Sequence, residues 1–160
     1  MNTPFATITC KKEISLYEVR NLLCGAFEGG SNYWLRSIRP YFAPGITKAD
    51  FQDGGKFTDP SCFFAPNQLI PTVDHCGLYI TVNEETSEEV PPQVFPTVAG
   101  KITSTSKEYD LNSSTLRNGL QRLANHQQQR HWNNLINEND DAETADVFLQ
   151  LCLFGEIVYG

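Results

Sequence analysis

The chain has 160 residues, 40% of them hydrophobic and 19% charged, a balance that suits a single globular domain over 1–160 and argues against general disorder. Its formal charge of −7 disfavours nonspecific binding to nucleic acid or to an anionic membrane, because both depend on lysine and arginine. No segment reaches the ~18–20 continuous apolar residues of a membrane span, and no signal-peptide pattern opens the chain. We therefore expect a cytoplasmic protein.

The best-marked element near the start of the chain is a helix at about 16–28. Ser15 and Glu18 have the spacing of a capping box, and apolar residues then recur every three or four positions. Either Gly29 or Gly30 is expected to end the helix in the left-handed conformation. The apolar face of this helix is made of Leu16, Val19, Leu22, Leu23, Ala26 and Phe27.

Alternation of apolar and polar residues predicts four strands. They are 5–11, 33–38, 76–83 and 98–106. The second strand is expected to end at Arg39-Pro40, because proline removes a donor from the sheet. The last two strands are expected to pair antiparallel. The segment 40–71, between the second and third predicted strands, is rich in proline and glycine. This composition predicts a loop-rich segment with a short helix near 47–53.

The pattern becomes helical from Asn112 onward. Asn112 or Ser113 is expected to cap a helix that fades near 127, and a second, short helix holds Trp132. The inner stripe of the first of these helices is Leu116, Leu120, Leu123 and Ala124.

A last helix is predicted at 141–158, with Asp140 and Glu143 as its capping pair. Apolar residues cover most of its circumference, so we expect it to be the central buried helix. Gly155 in its interior indicates that another backbone passes close by. Strands first and helices last favour an α+β fold, an antiparallel sheet covered by a helical layer.

Motifs for metal binding and catalysis are absent from the sequence. There is no Cys-x-x-Cys, no His-x-x-x-His, no Gly-x-Ser-x-Gly and no Gly-x-Gly-x-x-Gly. Five scattered cysteines are most simply buried free thiols. They are Cys10, Cys24, Cys62, Cys76 and Cys152. We expect no metal, no cofactor and no catalytic residue.

A candidate binding site follows the first helix. It comprises Ser31, Asn32, Tyr33, Trp34, Arg36 and Arg39. Tyr33 and Trp34 offer flat apolar surface for stacking, Asn32 offers hydrogen bonds to a ligand edge, and the arginines offer planar donors for phosphate. The alternative is that the two aromatic residues fill the core and the arginines pair with surface acids.

A second candidate cluster lies between the helices of the C-terminal half, and its members are His126, Arg130, His131, Trp132 and Asn133. It combines cationic, aromatic and amide groups, and Arg130 is expected to help hold phosphate. A solvated helix junction is the alternative. If both clusters lie across one groove, the hypothesis of a phosphate-bearing ligand gains support.

Two stretches resemble segments of small proteins encoded in bacteriophage and prophage genomes. They are Gly25-Ala-Phe-Glu-Gly-Gly-Ser-Asn-Tyr-Trp34 and the C-terminal segment that begins Glu138-Asn-Asp-Asp-Ala-Glu-Thr and ends Phe-Gly-Glu-Ile-Val-Tyr-Gly160. The resemblance brings no fold, activity or site with it. It implies a phage accessory protein, and such a protein of this size and acidity often acts against host defence.

The hypothesis we draw is a protein that binds and sequesters a small nucleotide-like or phosphorylated ligand without catalysis, in the host cytoplasm and as a homo-oligomer. Two alternatives remain open. One is an acidic inhibitor of a host defence protein, which the acidic run Glu84, Glu85, Glu88 and Glu89 favours. This alternative includes a DNA mimic, although the acidic residues of the chain form no regular stripe. The other is an enzyme that modifies nucleotides.

Overall fold

A computed structural model describes residue 6 and residues 11–50, 64–65, 68–82, 107–125, 129–139 and 141–160. Over this part of the chain the predicted α+β fold is confirmed. The helices are α1 (Leu16–Gly25), α2 (Ser113–Asn125), α3 (Gln129–Ile136) and α4 (Ala142–Phe154). The strands are β1 (Leu35–Tyr41), β2 (Phe64–Ala65), β3 (Gln68–Leu69), β4 (Gly77–Val82) and β5 (Lys107–Leu111). None of the helices described is both long and apolar enough to cross a membrane.

Helix α4 is the centre of the helical layer, as its sequence predicts. All residues from 144 to 152 are buried, and Phe148 and Leu149 are completely inaccessible to solvent. The helix contacts α1, α2 and β5. A helix that is apolar on nearly every side needs neighbours on nearly every side, and these elements supply them.

Strands β1, β4 and β5 form an antiparallel sheet in the order β1-β4-β5. Ile38, Ile80 and Tyr109 are in register, and Ile80 is fully buried, so this face of the sheet packs toward the core. The predicted strand 98–106 lies outside the described residues. In the structure β4 pairs with β1 on one side and, on the other, with β5, which begins at Lys107.

The prediction that Arg39-Pro40 ends the second strand is wrong. Strand β1 continues to Tyr41, and Pro40 is in register with Leu78 of β4. Within the described residues β1 pairs on one side only. In a strand that pairs on one side, only alternate backbone nitrogens face the partner, so such a strand can accommodate a proline.

The capping box of α1 is confirmed. The Ser15 amide donates to Glu18 Oε2 at 2.7 Å, and the Glu18 amide donates to Ser15 Oγ at 3.2 Å. The hydrogen bond from the Ser15 amide to the Glu18 carboxylate, together with one from Ser15 Oγ at 2.8 Å, holds the pKa of Glu18 below its usual value. The predicted apolar face is buried apart from Leu16, which is 51% exposed at the first position of the helix.

The expected left-handed glycine after α1 is not found. The helix continues into a π-helical turn, Ala26–Gly30, and among the described glycines only Gly45 and Gly155 have a positive φ. Gly30 instead lies against α4. A Cβ at position 30 would overlap the carbonyl oxygen of Ala142, whereas a Cβ at Gly29 would meet nothing within 4 Å.

Helix α4 is shorter than predicted at its C-terminal end. Its N-cap is Asp141 and not the predicted Asp140. Asp141 accepts a 2.8 Å hydrogen bond from the Thr144 amide, and this bond is the main reason that the pKa of Asp141 is lowered. The helix ends at Phe154, because Gly155 has a φ of 74° and serves as the left-handed cap. Arg122 of α2 donates to the Gly155 carbonyl at 3.0 Å. Gly155 is therefore a helix terminus and not an interior residue.

Helices α2 and α4 approach each other closely at Gly119. A Cβ at this position would lie 3.0 Å from Cys152 Cα and would overlap Cys152 Sγ. Both residues are buried. Burial also raises the pKa of the Cys152 thiol well above its usual value.

Several predictions fall on residues outside the part of the chain that the structure describes. Those that concern single residues involve Cys10, Cys62, Glu84, Glu85, Glu88, Glu89, His126 and Asp140. Those that concern segments involve nearly all of 5–11, all of 98–106 and part of 40–71. The described part of the helix predicted near 47–53 is a single 3-10 turn, Lys48–Asp50.

Candidate functional site

The polar residues that follow α1 converge on one buried carboxylate, Asp146 of α4, which is 7% exposed. Its Oδ1 accepts hydrogen bonds from Ser31 Oγ and from Trp34 Nε1, both at 2.7 Å. Its Oδ2 accepts from the Tyr33 hydroxyl at 2.8 Å and from Gln150 Nε2 at 3.0 Å. A carboxylate has about four acceptor positions, so these donors saturate it. Asp146 therefore joins the segment after α1 to α4.

The π-helical turn brings Ser31 to this carboxylate. The Ser31 amide donates to the Ala26 carbonyl at 2.8 Å, which closes the turn, and the Ser31 side chain is completely buried. The absence of a side chain at Gly30 allows the turn to lie directly against Ala142 at the start of α4. Gly30 therefore serves a close contact between backbones and not a helix stop.

Trp34 is not available to stack on a ligand, which corrects its predicted role. The side chain is 1% exposed. Its ring is stacked on that of Tyr159 at a centroid distance of 5.2 Å and an interplanar angle of 2°. Phe154 packs edge-on at 5.5 Å. For this residue the alternative interpretation, an aromatic that fills the core, fits the structure.

Tyr33 differs from its neighbour because the residue is 57% exposed while its hydroxyl reaches Asp146. Burial of the hydroxyl, together with the hydrogen bond to Asp146 and the negative charge there, raises the pKa of Tyr33 to about 12. The phenol is therefore neutral at physiological pH and offers an open aromatic face. Asn32 is exposed and does not line the cleft described below.

Gln150 holds the C-terminal segment against the same network. Its Oε1 accepts from the amides of Val158 and Tyr159, both at 2.8 Å. Its Nε2 donates to the Tyr159 carbonyl at 3.0 Å as well as to Asp146. One buried side chain thus fixes residues 158–159 beside α4.

An open cleft of about 550 Å³ lies over this network. Its walls come from the turn after α1, from α3, from the first turns of α4 and from the C-terminal segment. The residues that line it are Gly29, Gly30, Tyr33, His131, Ala142, Glu143, Asp146, Val147, Ile157, Tyr159 and Gly160. Tyr33 and His131 belong to different clusters of the sequence, and the structure brings them to one cleft.

His131 lies at the wall that α3 contributes. It is 4% exposed, and its Nδ1 is 2.9 Å from Thr144 Oγ1 of α4. The same Thr144 oxygen accepts from Asn134 Nδ2 at 3.1 Å. Arg130, one turn earlier than Asn134, forms a 2.9 Å ion pair with Glu143 at the rim of the cleft.

The three arginines that were predicted to hold phosphate do not converge, which corrects that prediction. Arg36 and Arg39 are on β1, and neither lines the cleft. Arg39 forms a 3.2 Å ion pair with Glu108 and lies 4.7 Å from the centre of the Tyr79 ring. Arg130 is close to the cleft but is already paired with Glu143.

Ligands for a metal ion are not gathered anywhere in the described residues. No group of three or more His, Cys, Asp or Glu side chains there has the geometry to hold a metal ion. The described cysteines Cys24, Cys76 and Cys152 are free thiols, and the last two are buried. The described side chains that line the cleft offer hydrogen bonding and aromatic stacking to a ligand.

Sequence reasoning missed Asp146 and Gln150, although a signal for both exists. They are polar residues four positions apart in a helix that is otherwise apolar on nearly every side. Residues at this spacing lie on one face of a helix, and buried polar groups need partners. The pair therefore predicts a buried network, but it does not say which distant residues complete it.

Comparisons with known proteins do not assign the chain to a family. No protein-family model matches it, and searches of curated proteins and of solved structures also give no match.

Proposed function

We propose that the protein binds and sequesters a small nucleotide-like ligand in the cleft, without converting it. The observation that carries this proposal is that Tyr33 and His131, from two separate clusters of the sequence, line the same cleft. Its volume of about 550 Å³ is within the range of small-molecule sites, which is roughly 300–1,000 Å³.

The side chains of the cleft suit a planar ligand with polar edges. Tyr33 offers an exposed ring for stacking, while Val147 and Ile157 offer apolar wall. His131 of α3 and Glu143 of α4 add hydrogen-bonding groups to the walls of the cleft. This combination of apolar surface with a few placed polar groups is typical of ligand sites.

The proposal includes no turnover. The hydroxyls of Ser31 and Tyr33 both donate to Asp146, and Ser31 is completely buried, so we assign these hydrogen bonds to holding the turn against α4. Asp146 is itself saturated, so it is a poor candidate for a general base. We assign it to holding the cleft in shape.

The biological setting of the proposal rests on the resemblance to phage proteins. We propose that the protein acts in the cytoplasm of an infected host, where its ligand is a nucleotide signal of host defence. A homo-oligomer is part of this proposal, and the mass of the native protein tests it. The proposal requires neither nucleic-acid binding nor a membrane.

Native mass spectrometry with a panel of nucleosides, nucleotides and cyclic nucleotides tests the proposal. A ligand that is retained, and that returns unchanged on denaturation, is the expected result. Failure of every member of the panel to bind the wild-type protein overturns it, and recovery of a converted product replaces it with an enzyme.

Two matched variants locate the binding site. Ile157 lines the cleft and is 37% exposed, whereas its neighbour Val158 is 54% exposed and does not line it. Ile157→Trp should obstruct the cleft and abolish retention of the ligand. Val158→Trp adds the same side chain one residue away and should leave retention unchanged.

A further inference from the structure

The hydrogen-bonding state of His131 follows from the threonine beside it. Thr144 is completely buried, and its Oγ1 already accepts a hydrogen bond from Asn134 Nδ2. The hydroxyl hydrogen of Thr144 needs an acceptor, and two groups interact with this hydroxyl, the Asp141 carboxylate and His131 Nδ1 at 2.9 Å. We assign Nδ1 as the acceptor, because it is the group of the two that meets Oγ1 in hydrogen-bond geometry, and the ring proton then lies on Nε2.

This Nε2–H group has no hydrogen-bond partner within the described part of the chain. The side chain is nevertheless 96% removed from solvent, since its exposed fraction is 4%. Buried polar groups in folded proteins nearly always have partners. Because His131 lines the cleft, a ligand that presents an acceptor there would supply the missing partner.

Glu143 adds a second hydrogen-bonding side chain to the cleft. The saturated carboxylate of Asp146 has no acceptor position left for a ligand. Glu143 uses Oε2 for the ion pair with Arg130, and Oε1 remains available to accept from a ligand. The cleft thus combines a buried donor with a carboxylate acceptor.

The charge of the cleft disfavours a phosphate inside it. Glu143 and Asp146 are both acidic, and the one arginine beside them is paired with Glu143. A phosphate placed among these carboxylates would be repelled and would gain no guanidinium partner.

We infer that the cleft receives the heteroaromatic base end of a nucleoside-type ligand, with an acceptor of the base on His131 Nε2–H and a donor of the base on Glu143. This inference rests on the proposed function and specifies which end of the ligand enters. The exposed ring of Tyr33 stacks on the base, and any phosphate remains outside in solvent.

Isothermal titration calorimetry with two sets of probes tests which end enters. One set is adenosine, guanosine, cytidine and uridine, and the other is their 5′-monophosphates together with ribose 5-phosphate. We expect the dissociation constant of the best nucleoside to lie within about threefold of that of its monophosphate. Ribose 5-phosphate should not compete with the nucleoside for the cleft. Binding that requires the phosphate overturns the inference while leaving the proposed function intact. Absence of binding by all probes overturns the inference, and the proposed function is overturned only if the cyclic nucleotides of the wider panel also fail to bind.

A pair of conservative variants tests the assigned nitrogen. His131→Gln keeps a donor near the position of Nε2, whereas His131→Asn keeps a polar group toward Thr144 but removes the donor that faces the cleft. We expect the dissociation constant for the nucleoside to rise about tenfold in the Asn variant. The Gln variant should keep most of the wild-type affinity. Circular dichroism verifies that both variants fold. Equal binding by the wild type and the Asn variant contradicts the role of Nε2.

Discussion

Trp34 Nε1 donates a 2.7 Å hydrogen bond to Oδ1 of Asp146, although the two residues are 112 positions apart in the sequence. Ser31 shares the same oxygen. The contact between α4 and the segment after α1 therefore includes a charged group inside an otherwise apolar helix. Hydrogen bonds to a buried charge are stronger than those between neutral groups, so this network contributes to stability as well as to the shape of the cleft.

Asp146→Asn should lower the free energy of unfolding by about 3 kcal/mol. Asparagine keeps the shape of the side chain, but its NH₂ group replaces one acceptor oxygen and faces donors such as Ser31 or Tyr33. Urea denaturation followed by circular dichroism measures the change. Asp74→Asn, at an exposed position, is the matched control and should be neutral within about 0.5 kcal/mol.

Trp34→Phe should lower the free energy of unfolding by about 2 kcal/mol and leave ligand binding in the cleft unchanged. Phenylalanine removes the hydrogen bond to Asp146 and part of the stacking with Tyr159. Denaturation and calorimetry on the same variant separate the two effects. A variant of normal stability that has lost binding would return Trp34 to the ligand site.

Gly30→Ala and Gly29→Ala should have opposite effects. At position 30 the new methyl group overlaps the Ala142 carbonyl, so we expect a loss of about 1–3 kcal/mol from overpacking. At position 29 the methyl group meets nothing, and lower entropy of the unfolded chain should make the change neutral or stabilising by up to about 1 kcal/mol. Thermal or urea denaturation of both variants provides the comparison. Equal destabilisation would contradict the close approach at Gly30.

Gln150→Leu should release the C-terminal segment while the core stays folded. The substitution keeps similar volume but removes the acceptor of the Val158 and Tyr159 amides. Hydrogen exchange should then show protection lost at these two amides and retained at Phe148 and Leu149. Glu156→Gln, an exposed change in the same segment, should not alter exchange.

Tyr33→Phe should reduce the loss of stability at alkaline pH. The folded pKa of Tyr33 is raised to about 12 from the usual 10, so the folded state holds this proton more tightly than the unfolded state. The associated stability is present below pH 10 and is lost as the pH rises toward 12. The stability difference between wild type and Tyr33→Phe should therefore shrink from pH 9 to pH 12 in urea denaturation. An unchanged difference over that range would contradict the hydrogen bond to Asp146.

Elements that depend on local patterns could be predicted from the sequence. The capping box at Ser15, the alternation of Leu78, Ile80 and Val82, and the apolar circumference of α4 all act through neighbours in the chain, and each appears in the structure. Strand β1 passed the predicted boundary at Pro40, because tolerance of proline depends on whether the strand is at an edge. That property is set by pairing and not by the strand itself.

The candidate site was predicted only in part, for a similar reason. The sequence identified Tyr33 and His131 as polar aromatic residues in unusual surroundings, and both line the cleft. The sequence could not show whether Trp34 is a core or a surface residue. The residues that hold it in the core, Asp146 and Tyr159, are more than a hundred positions away in the chain. Arg39 likewise finds Glu108 across the sheet.

The close contact between Gly119 and Cys152 provides a chemical reporter of core opening. The buried thiol, with its raised pKa, is shielded from alkylating reagents as long as α2 stays against α4. Its rate of alkylation in the folded protein, read by mass spectrometry of the peptide that contains it, therefore measures how often these helices separate. A ligand that tightens the cleft at the other end of α4 would slow that reaction without touching the sulfur.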